Sequence, residues 1–379
     1  MPKLLVVTTV FTTLRAFLLP YAQYFRAKGW TVDAMANGAS TSHECLDTFN
    51  HCYDVEWSRN PLDLSNFIKT PTYIRKIVEQ NGYDIVHVHT PVAAFVTRHS
   101  LRKLRKTGKV KVVYTAHGFH FYKGGPLIRN IIFLMLEKIA ARWTDHIVVI
   151  NREDYDAAVR SLLPQNKVTY MPGIGIDFQK YSSRNVTEEE IKGIHQELGL
   201  QNDDVLMLMI AEFIPRKRHR DAIEALAMTT NNKIHLAFAG DGPLMEDMRR
   251  LALSKNVAER VHFLGHRRDI PVLIASSRAT LLTSQQEGLP RSVMESMAQG
   301  VPVIGTDIRG TRDLLENGCG IIVPVGNIKE LAKAMDLAAS DDDIMKGISA
   351  RAIDKCHGYD LLVVEKMHDE LYAKLHNVD

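Results

Sequence analysis

Two carboxylates, Glu287 and Glu295, bracket a segment whose residue types suit phosphate and sugar chemistry, QQEGLPRSVMES over 285–296. Glu287 closes an apolar, strand-like run, Gly288 permits a tight turn, and a helix is predicted to begin near Pro290, a residue suited to a first helical turn. A helix N-terminus offers free backbone N–H groups and the positive end of a dipole, which favours a phosphate. Glu295, about a turn and a half into that helix, can accept hydrogen bonds from the two hydroxyls of a ribose, as acids do in other nucleotide sites. Glu287, at the strand end, can take sugar hydroxyls. Either acid alone is as readily an ordinary solvated charge. Strand, glycine turn and helix, followed by AQGVPVIGTDIRG, make a ligand site the stronger reading.

Other residues invite chemistry with less specificity. His117 ends the run KVVYTAH, where a lone strand-end histidine is by itself more often structural than functional. His87 and His89 stand two apart on a strand and so face one side, a spacing that suggests a metal. No nearby Asp, Glu or Cys completes a ligand set, so no metal is expected. Gly240 and Gly242 in AGDGP imitate a dinucleotide loop, but Gly-x-Gly alone is weak evidence. After the first strand no G-x-G-x-x-G with a following acid appears, which argues against a dinucleotide oxidoreductase.

The elements that must hold these groups alternate regularly. In the first half LLVVTTV (4–10), TVDAMAN (31–37), DIVHVHT (84–90), KVVYTAH (111–117) and HIVVIN (146–151) read as strands, with helical patterns at 18–29, 92–106 and 127–142. The second half repeats the scheme with strands at 205–213, 234–240, 261–265, 279–284 and 302–307, and helices at 221–229, 243–253 and 289–300. Such order predicts an α/β fold of two Rossmann-like, doubly wound domains, 1–172 and 173–379, joined where Pro and Gly break the pattern in YMPGIGIDFQKY (170–181). Sheets of this kind bind ligands beyond the carboxyl ends of their strands, so two of them predict a site in the cleft between domains. A last helix, about 360–376, shows an apolar face through Leu361, Val364, Met367, Leu371 and Leu375, and the sequence leaves open which domain it packs on.

Bulk properties agree with a two-domain globular protein. A chain of 379 residues exceeds one comfortable core, and 45% apolar with 24% charged residues is ordinary for a globular chain. The four cysteines form no C-x-x-C pair, which argues against a disulfide-dense secreted scaffold and a structural zinc site and points to the cytoplasm. The apolar run behind Lys3 faintly imitates a signal peptide, but Arg15 interrupts it and no cleavage site follows. No run reaches the roughly 18–20 apolar residues of a membrane span. The net charge of +3 conceals an asymmetry: residues 1–175 hold 22 Lys and Arg against 13 Asp and Glu, and residues 176–379 hold 25 against 31.

Together these segments resemble glycosyltransferase family 4. Glu287-x7-Glu295 enclosing Gly288-Leu289-Pro290 matches that family's motif, and HVHTP (87–91), TAHG (115–118), GIGID (173–177), AGDGPL (239–244) and FLG (263–265) extend the likeness over nearly the whole chain. AHGFHFYKG (116–124) and AEFIPRK (211–217) are similar to the bacterial branch that builds capsular and exopolysaccharides. The resemblance implies a GT-B fold and transfer of a sugar from a nucleotide-diphosphate donor, a UDP-sugar, with retention at the anomeric carbon. It implies no metal and no cofactor beyond the donor. No protein nucleophile is implied either, the donor β-phosphate helping to deprotonate the acceptor. Glu287 would then contact the donor sugar, Glu295 the ribose, the amides around Gly288 and Leu289 the sugar and diphosphate, Lys217 the diphosphate, and His117 the donor sugar. Gly240 and Gly242 would lie beside the donor, and the base near Leu264, Gly265 and His266. One departure concerns the family pattern G-R-L-x-x-E-K: Glu212 stands where Arg is usual and Arg216 where Glu is usual. Because fixed cations stabilise a leaving diphosphate, Arg216 or Arg218 is expected to supply the second charge. A second departure is the glycine-free loop TTVFTTLR, where Thr12, Thr13 and Arg15 replace a glycine turn.

The acceptor side is marked by charge and by apolar surface. RHSLRKLRKTGKVK (98–111) holds seven Lys and Arg and no acid, including Arg102, Lys103, Arg105 and Lys106. GFHFYKGGPLIRNIIFLML (118–136), with Phe119, Tyr122 and Lys123, adds aromatics, a Gly-rich loop and a strongly apolar helix. Either is also readable as a solvated face or a core helix. Together they predict a domain resting on the anionic inner face of the cytoplasmic membrane, taking a lipid-diphosphate-linked saccharide, with His89 on the acceptor side. No nucleic-acid module accompanies the basic run. A small soluble acceptor, or a non-catalytic nucleotide-sugar-binding protein at the membrane, are the alternatives.

Overall fold

The computed structural model describes residues 1–57 and 70–376. The chain folds as two units, one comprising Met1–Ile174 with the chain from Leu362 onward, the other Gly175–Leu361.

The first unit is built on seven strands: β1 (Lys3–Val10), β2 (Thr31–Asn37), β3 (Cys52–Asp54), β4 (Ile85–Val88), β5 (Lys111–Ala116), β6 (His146–Val149) and β7 (Val168–Tyr170). They form one parallel sheet in the order β3-β2-β1-β4-β5-β6-β7. Helices α1 (Leu19–Ala27), α2 (Thr70–Asn81), α3 (Pro91–Lys106), α4 (Leu127–Ala141) and α5 (Arg152–Ser161) cross between them. The chain starts at the centre, winds outward to β3 and returns beside β1 as β4. At that reversal the connections after β1 and β4 diverge and leave a crevice at the carboxyl ends.

The second unit repeats the plan with β8 (Val205–Ile210), β9 (Ile234–Ala239), β10 (Val261–Gly265), β11 (Ala279–Leu282), β12 (Val303–Thr306) and β13 (Ile321–Val323), in the order β10-β9-β8-β11-β12-β13. Its helices include α6 (Glu188–Glu197), α7 (His219–Leu226), α8 (Met245–Ser254), α9 (Arg291–Ala298), α10 (Ile328–Ser340) and α11 (Asp342–Cys356). The reversal here falls between β8 and β11. Both faces of this sheet are covered, which is why β8 reads as an unbroken apolar run: Met207 and Met209 enter one core layer, Leu206 and Leu208 the other.

The last helix, α12 (Leu361–His376), enters the first unit's core. Val364 and Leu371 are buried, but so are Glu365, His368 and Tyr372, so the inward face carries polar groups that an apolar stripe does not announce. The Tyr372 ring lies tilted against that of Phe25, 5.0 Å away, and Lys28 pairs with Asp369 at 2.6 Å.

Arg98 opens the basic run yet is wholly buried, so it belongs neither to a membrane-facing nor to a solvated surface. Its guanidinium lies 4.1 Å over the Tyr114 ring and pairs with Glu137 at 3.0 Å. Among the described residues no helix is long and apolar enough to cross a membrane, and the four cysteines are free and buried.

Candidate functional site

In the second unit the chain leaving β8 makes a short turn, Pro215–Lys217, passes through Arg218 in the left-handed region (φ 53°) and enters α7. The chain leaving β11 runs beside it. The Thr283 hydroxyl bonds the carbonyl oxygens of Lys217 and Arg218 at 2.9 and 3.0 Å, and the Gln285 N–H donates to the Arg216 carbonyl at 2.9 Å. These bonds stitch two segments about seventy residues apart at the reversal of strand order, where a ligand is expected. Lys217 Nζ thereby lies 2.5 Å from Glu287 Oε1, and Arg216 Nη1 lies 3.7 Å from Oε2.

Arg218 is placed differently. Its guanidinium forks onto the buried Asp221 at 2.7 and 3.0 Å, so of the two expected cations only Arg216 faces Glu287. Arg309, 5% exposed, donates from Nε to the Glu287 carbonyl at 3.2 Å. Gly310 (φ +74°) lets that segment close on the Gly288–Leu289 turn, since a Cβ there would stand 1.9 Å from the Gly288 carbonyl oxygen. Arg309 belongs to a block that carries the resemblance, but no spacing marks it as inward-facing.

Pro290 caps α9 rather than entering it; the helix begins at Arg291. Glu295 lies on its buried face. Tyr181 Oη donates to Glu295 Oε1 at 2.6 Å, and Arg291 Nε is 2.9 Å from the same oxygen. Burial pushes this carboxyl above its ordinary range, while Arg291 and Tyr181 act the other way. Tyr181 stands in the expected join and was not singled out by any motif.

A cavity of about 480 Å³ opens beyond β8, β9 and β10, lined by Glu212, Gly240, Asp241, Gly242, His266 and Arg267. Glu212 thus faces this cavity and does not join the Lys217–Glu287 cluster. Gly240 and Gly242 are required by close approach: a Cβ would stand 2.1 Å from the Ala211 oxygen at the first and 2.7 Å from the Phe213 backbone at the second. Arg267 is clamped by Glu197 and Asp269 on one wall. Leu264 and Gly265 end β10 beside it, half-buried.

The first unit holds a cluster of another kind. His117 and His89 follow the carboxyl ends of β5 and β4, with His117 Nε2 3.1 Å from His89 Nδ1. The His89 ring stacks 4.3 Å from His87, whose nitrogens bond the Tyr372 hydroxyl at 2.5 Å and the Thr115 hydroxyl at 2.7 Å. His368 and Tyr21 close a cavity of about 20 Å³ around them. Desolvation holds these imidazoles neutral: His117 and His368 are lowered to about 4, and His87 and His89 well below the usual value. The loop after His117 is pinned because the Phe119 N–H donates to Asp154, itself held at the N-terminus of α5 by Asn151.

Other expected residues separate by burial. Phe119 is 1% exposed and stacked on Phe121, so its ring serves the core rather than a surface. Arg105 pairs with Asp145 at 2.9 Å and Arg102 donates to the His99 carbonyl, while Lys103, Lys106 and Lys123 are exposed. Tyr122 is half-buried. Beyond β1 the glycine-free loop turns directly into a helix containing a π-helical stretch, Leu14–Leu18. Thr12 is exposed, Thr13 is half-buried, and Arg15 pairs loosely with Glu44 at 3.6 Å.

Comparison with known proteins agrees with this architecture. Residues 17–178 match Glycosyltransferase Family 4, and residues 190–355 match Glycosyl transferases group 1. The putative glycosyltransferase EpsD of Bacillus subtilis is 32% identical over 337 residues, covering 88% of this chain and 86% of its own. The UDP-Gal:alpha-D-GlcNAc-diphosphoundecaprenol alpha-1,3-galactosyltransferase of Escherichia coli is 26% identical, covering 81% of this chain and 80% of its own. Among solved structures, Anabaena Alr3699/HepE in complex with UDP-glucose superposes with a TM-score of 0.81 at 18% identity, over 99% of this chain and 100% of that one. The shared fold, the two matched segments and the EpsD likeness show that this chain is a GT-B glycosyltransferase belonging to family 4.

Proposed function

We propose that this glycosyltransferase moves a hexose-type sugar from a UDP-sugar to a hydroxyl of a lipid-diphosphate-linked saccharide, with retention of anomeric configuration, in assembly of a surface polysaccharide. The observation that carries the donor half is the Lys217–Glu287 contact at the strand reversal, with Arg216 beside it. Lys217 and Arg216 would stabilise the charge that builds on the departing diphosphate, where a fixed cation is worth most. Glu287 would hold Lys217 in place and take sugar hydroxyls. The backbone amides of Gly288 and Leu289 would meet the diphosphate, Glu295 the ribose, and the cavity beside Gly240, Gly265 and His266 the base. His117, kept neutral, would offer its imidazole to the sugar.

The acceptor half is supported by the Escherichia coli relative, whose name specifies a diphosphoundecaprenol-linked acceptor. It fits the exposed lysines of α3, since anionic lipid attracts each such charge by about 1 kcal/mol near the surface. The enzyme would then work as a peripheral protein on the cytoplasmic face of the membrane. A thermal-shift screen against nucleotide sugars tests the donor assignment. UDP-hexoses are expected to raise the melting temperature with concentration, because a ligand of the folded state stabilises it in proportion to occupancy. No shift with any UDP-sugar, alongside a shift with another nucleotide class, would overturn it.

A further inference from the structure

α4, Leu127–Ala141, is apolar on its outside as well as its inside. Leu127, Ile128, Ile131, Ile132, Met135 and Leu136 are 39% to 74% exposed, and Ile139 continues the line. The spacing i, i+1, i+4, i+5, i+8, i+9 is that of a single helical face. The opposite side is occupied with the core: Ala140 and Ala141 are buried, Phe133 and Leu134 pack against the first unit's core cluster, and Glu137 pairs with Arg98. A surface helix ordinarily turns charge outward, and a contiguous apolar face of this size marks an interaction site.

Charge identifies the occupant. From Ile85 to Leu136 the sequence holds nine Lys and Arg and no Asp or Glu. The next acid, Glu137, is half-buried against Arg98 and Tyr114. On the helix itself Arg129 and Lys138 are exposed and border the apolar face on its two sides, and Lys123 and Arg142 are exposed near its ends. A second copy docked face to face would set these cations against their own equivalents without acids to pair them. An anionic bilayer answers both features, taking the side chains into the acyl boundary and the cations among headgroup phosphates.

We infer that the outer face of α4 is a membrane-insertion surface, which lies in the interface plane of an anionic bilayer and seats the first unit on it. The surface gives the proposed lipid-linked acceptor its purpose, and to that extent rests on that reading; the exposure and charge do not.

The test uses the full chain and vesicles of phosphatidylcholine with and without phosphatidylglycerol. Wild type is expected to co-sediment with the anionic vesicles at physiological salt, and Ile128→Asn/Ile132→Asn to lose about tenfold or more in partitioning. Both positions are exposed, so this variant should fold, which an unchanged melting temperature checks. Because the native cysteines are all buried, Met135→Cys can be labelled with an environment-sensitive dye. Its emission should shift to the blue on anionic vesicles, while that of dye on Lys346→Cys in the second unit should not. Equal binding by wild type and the Asn variant, or no spectral shift at Met135→Cys despite binding, overturns the inference. Reversible self-association without vesicles, abolished by the same variant, would assign the face to a second copy instead. Retained binding by an acid-rimmed protein rather than by vesicles would also overturn it. Transfer to a water-soluble short-chain acceptor separates the two readings: the Asn variant should keep it and lose transfer to vesicle-embedded acceptor. Failure of wild type on both acceptors counts against the proposed reaction and leaves the surface standing if the vesicles still bind.

Discussion

The two units place polar groups at the carboxyl ends of the same kind of sheet, yet in opposite electrostatic states. In the second unit the cluster is charged: Lys217 and Arg216 converge on the carboxylate of Glu287, and Arg309 holds its backbone. In the first unit the cluster is neutral: His87 and His89 are buried with the half-buried His117 beside them, and Tyr372 and Thr115 close the hydrogen bonds. Fixed charge suits a diphosphate whose charge grows during reaction. Neutral imidazoles suit a sugar, which carries hydroxyls and no charge. The contrast predicts that the second cluster serves the leaving group and that the first positions the sugar.

The largest expected effect follows from reversing the charged cluster. Lys217→Glu should abolish turnover and lower the melting temperature as well, because it sets a second carboxylate against Glu287 where both side chains are largely buried; full activity would refute the diphosphate role. Lys217→Ala should lower kcat by about 10²–10³-fold, the usual cost of a transition-state donor. Arg216 and Arg218 then split the comparison. Arg216→Ala should reduce kcat by about tenfold with unchanged stability. Arg218→Ala should cost about 1–3 kcal/mol of stability, since it strands the buried Asp221, with a smaller kinetic effect. Denaturant melts beside steady-state rates distinguish the two, and the reverse pattern would move the second cation to Arg218.

The neutral cluster predicts smaller, pH-linked effects. His89→Ala removes the 3.1 Å partner of His117 Nε2 and should lower kcat by about tenfold while the donor KM stays near its original value. A change in KM alone would place His89 in binding instead. Acid should also weaken the first unit. A histidine whose value falls from 6.5 to about 4 on folding is protonated more readily when unfolded, so stability is full above about pH 6.5 and declines as pH falls towards 4. For one such group the loss approaches about 3 kcal/mol at the lower limit. Thermal melts between those pH values check this, and a flat profile would mean that the cluster is solvated.

Most of the fold was legible because both sheets are covered on both faces, which turns central strands into continuous Val, Ile and Leu runs. The strands without a signal, β3, β7 and β13, are three residues long and lie at sheet edges. There a strand needs little apolar sequence and its neighbours do the specifying. The host of α12 was not legible, because its inward face mixes Val364 and Leu371 with Glu365, His368 and Tyr372. Likewise the run 98–111 could not show that Arg98 turns inward to Glu137, a partner 39 residues away. Around the Lys217–Glu287 pair the residue types and strand ends were readable from Glu287, Lys217 and Gly288. Arg309 and Tyr181 were not, since each reaches its partner through a tertiary approach, Arg309 beside Gly310 and Tyr181 across 114 residues to Glu295. The division between Arg216 and Arg218 also depends on the left-handed turn at Arg218, which no residue type announces.

The most direct test is proton NMR of the purified enzyme incubated with a panel of UDP-hexoses and a short-chain lipid-diphosphate saccharide. The account predicts UDP release matched by a new glycosidic product whose anomeric proton keeps the α configuration of the donor, with both signals absent for Lys217→Glu. A β-configured product, or equal turnover by Lys217→Glu, would contradict it.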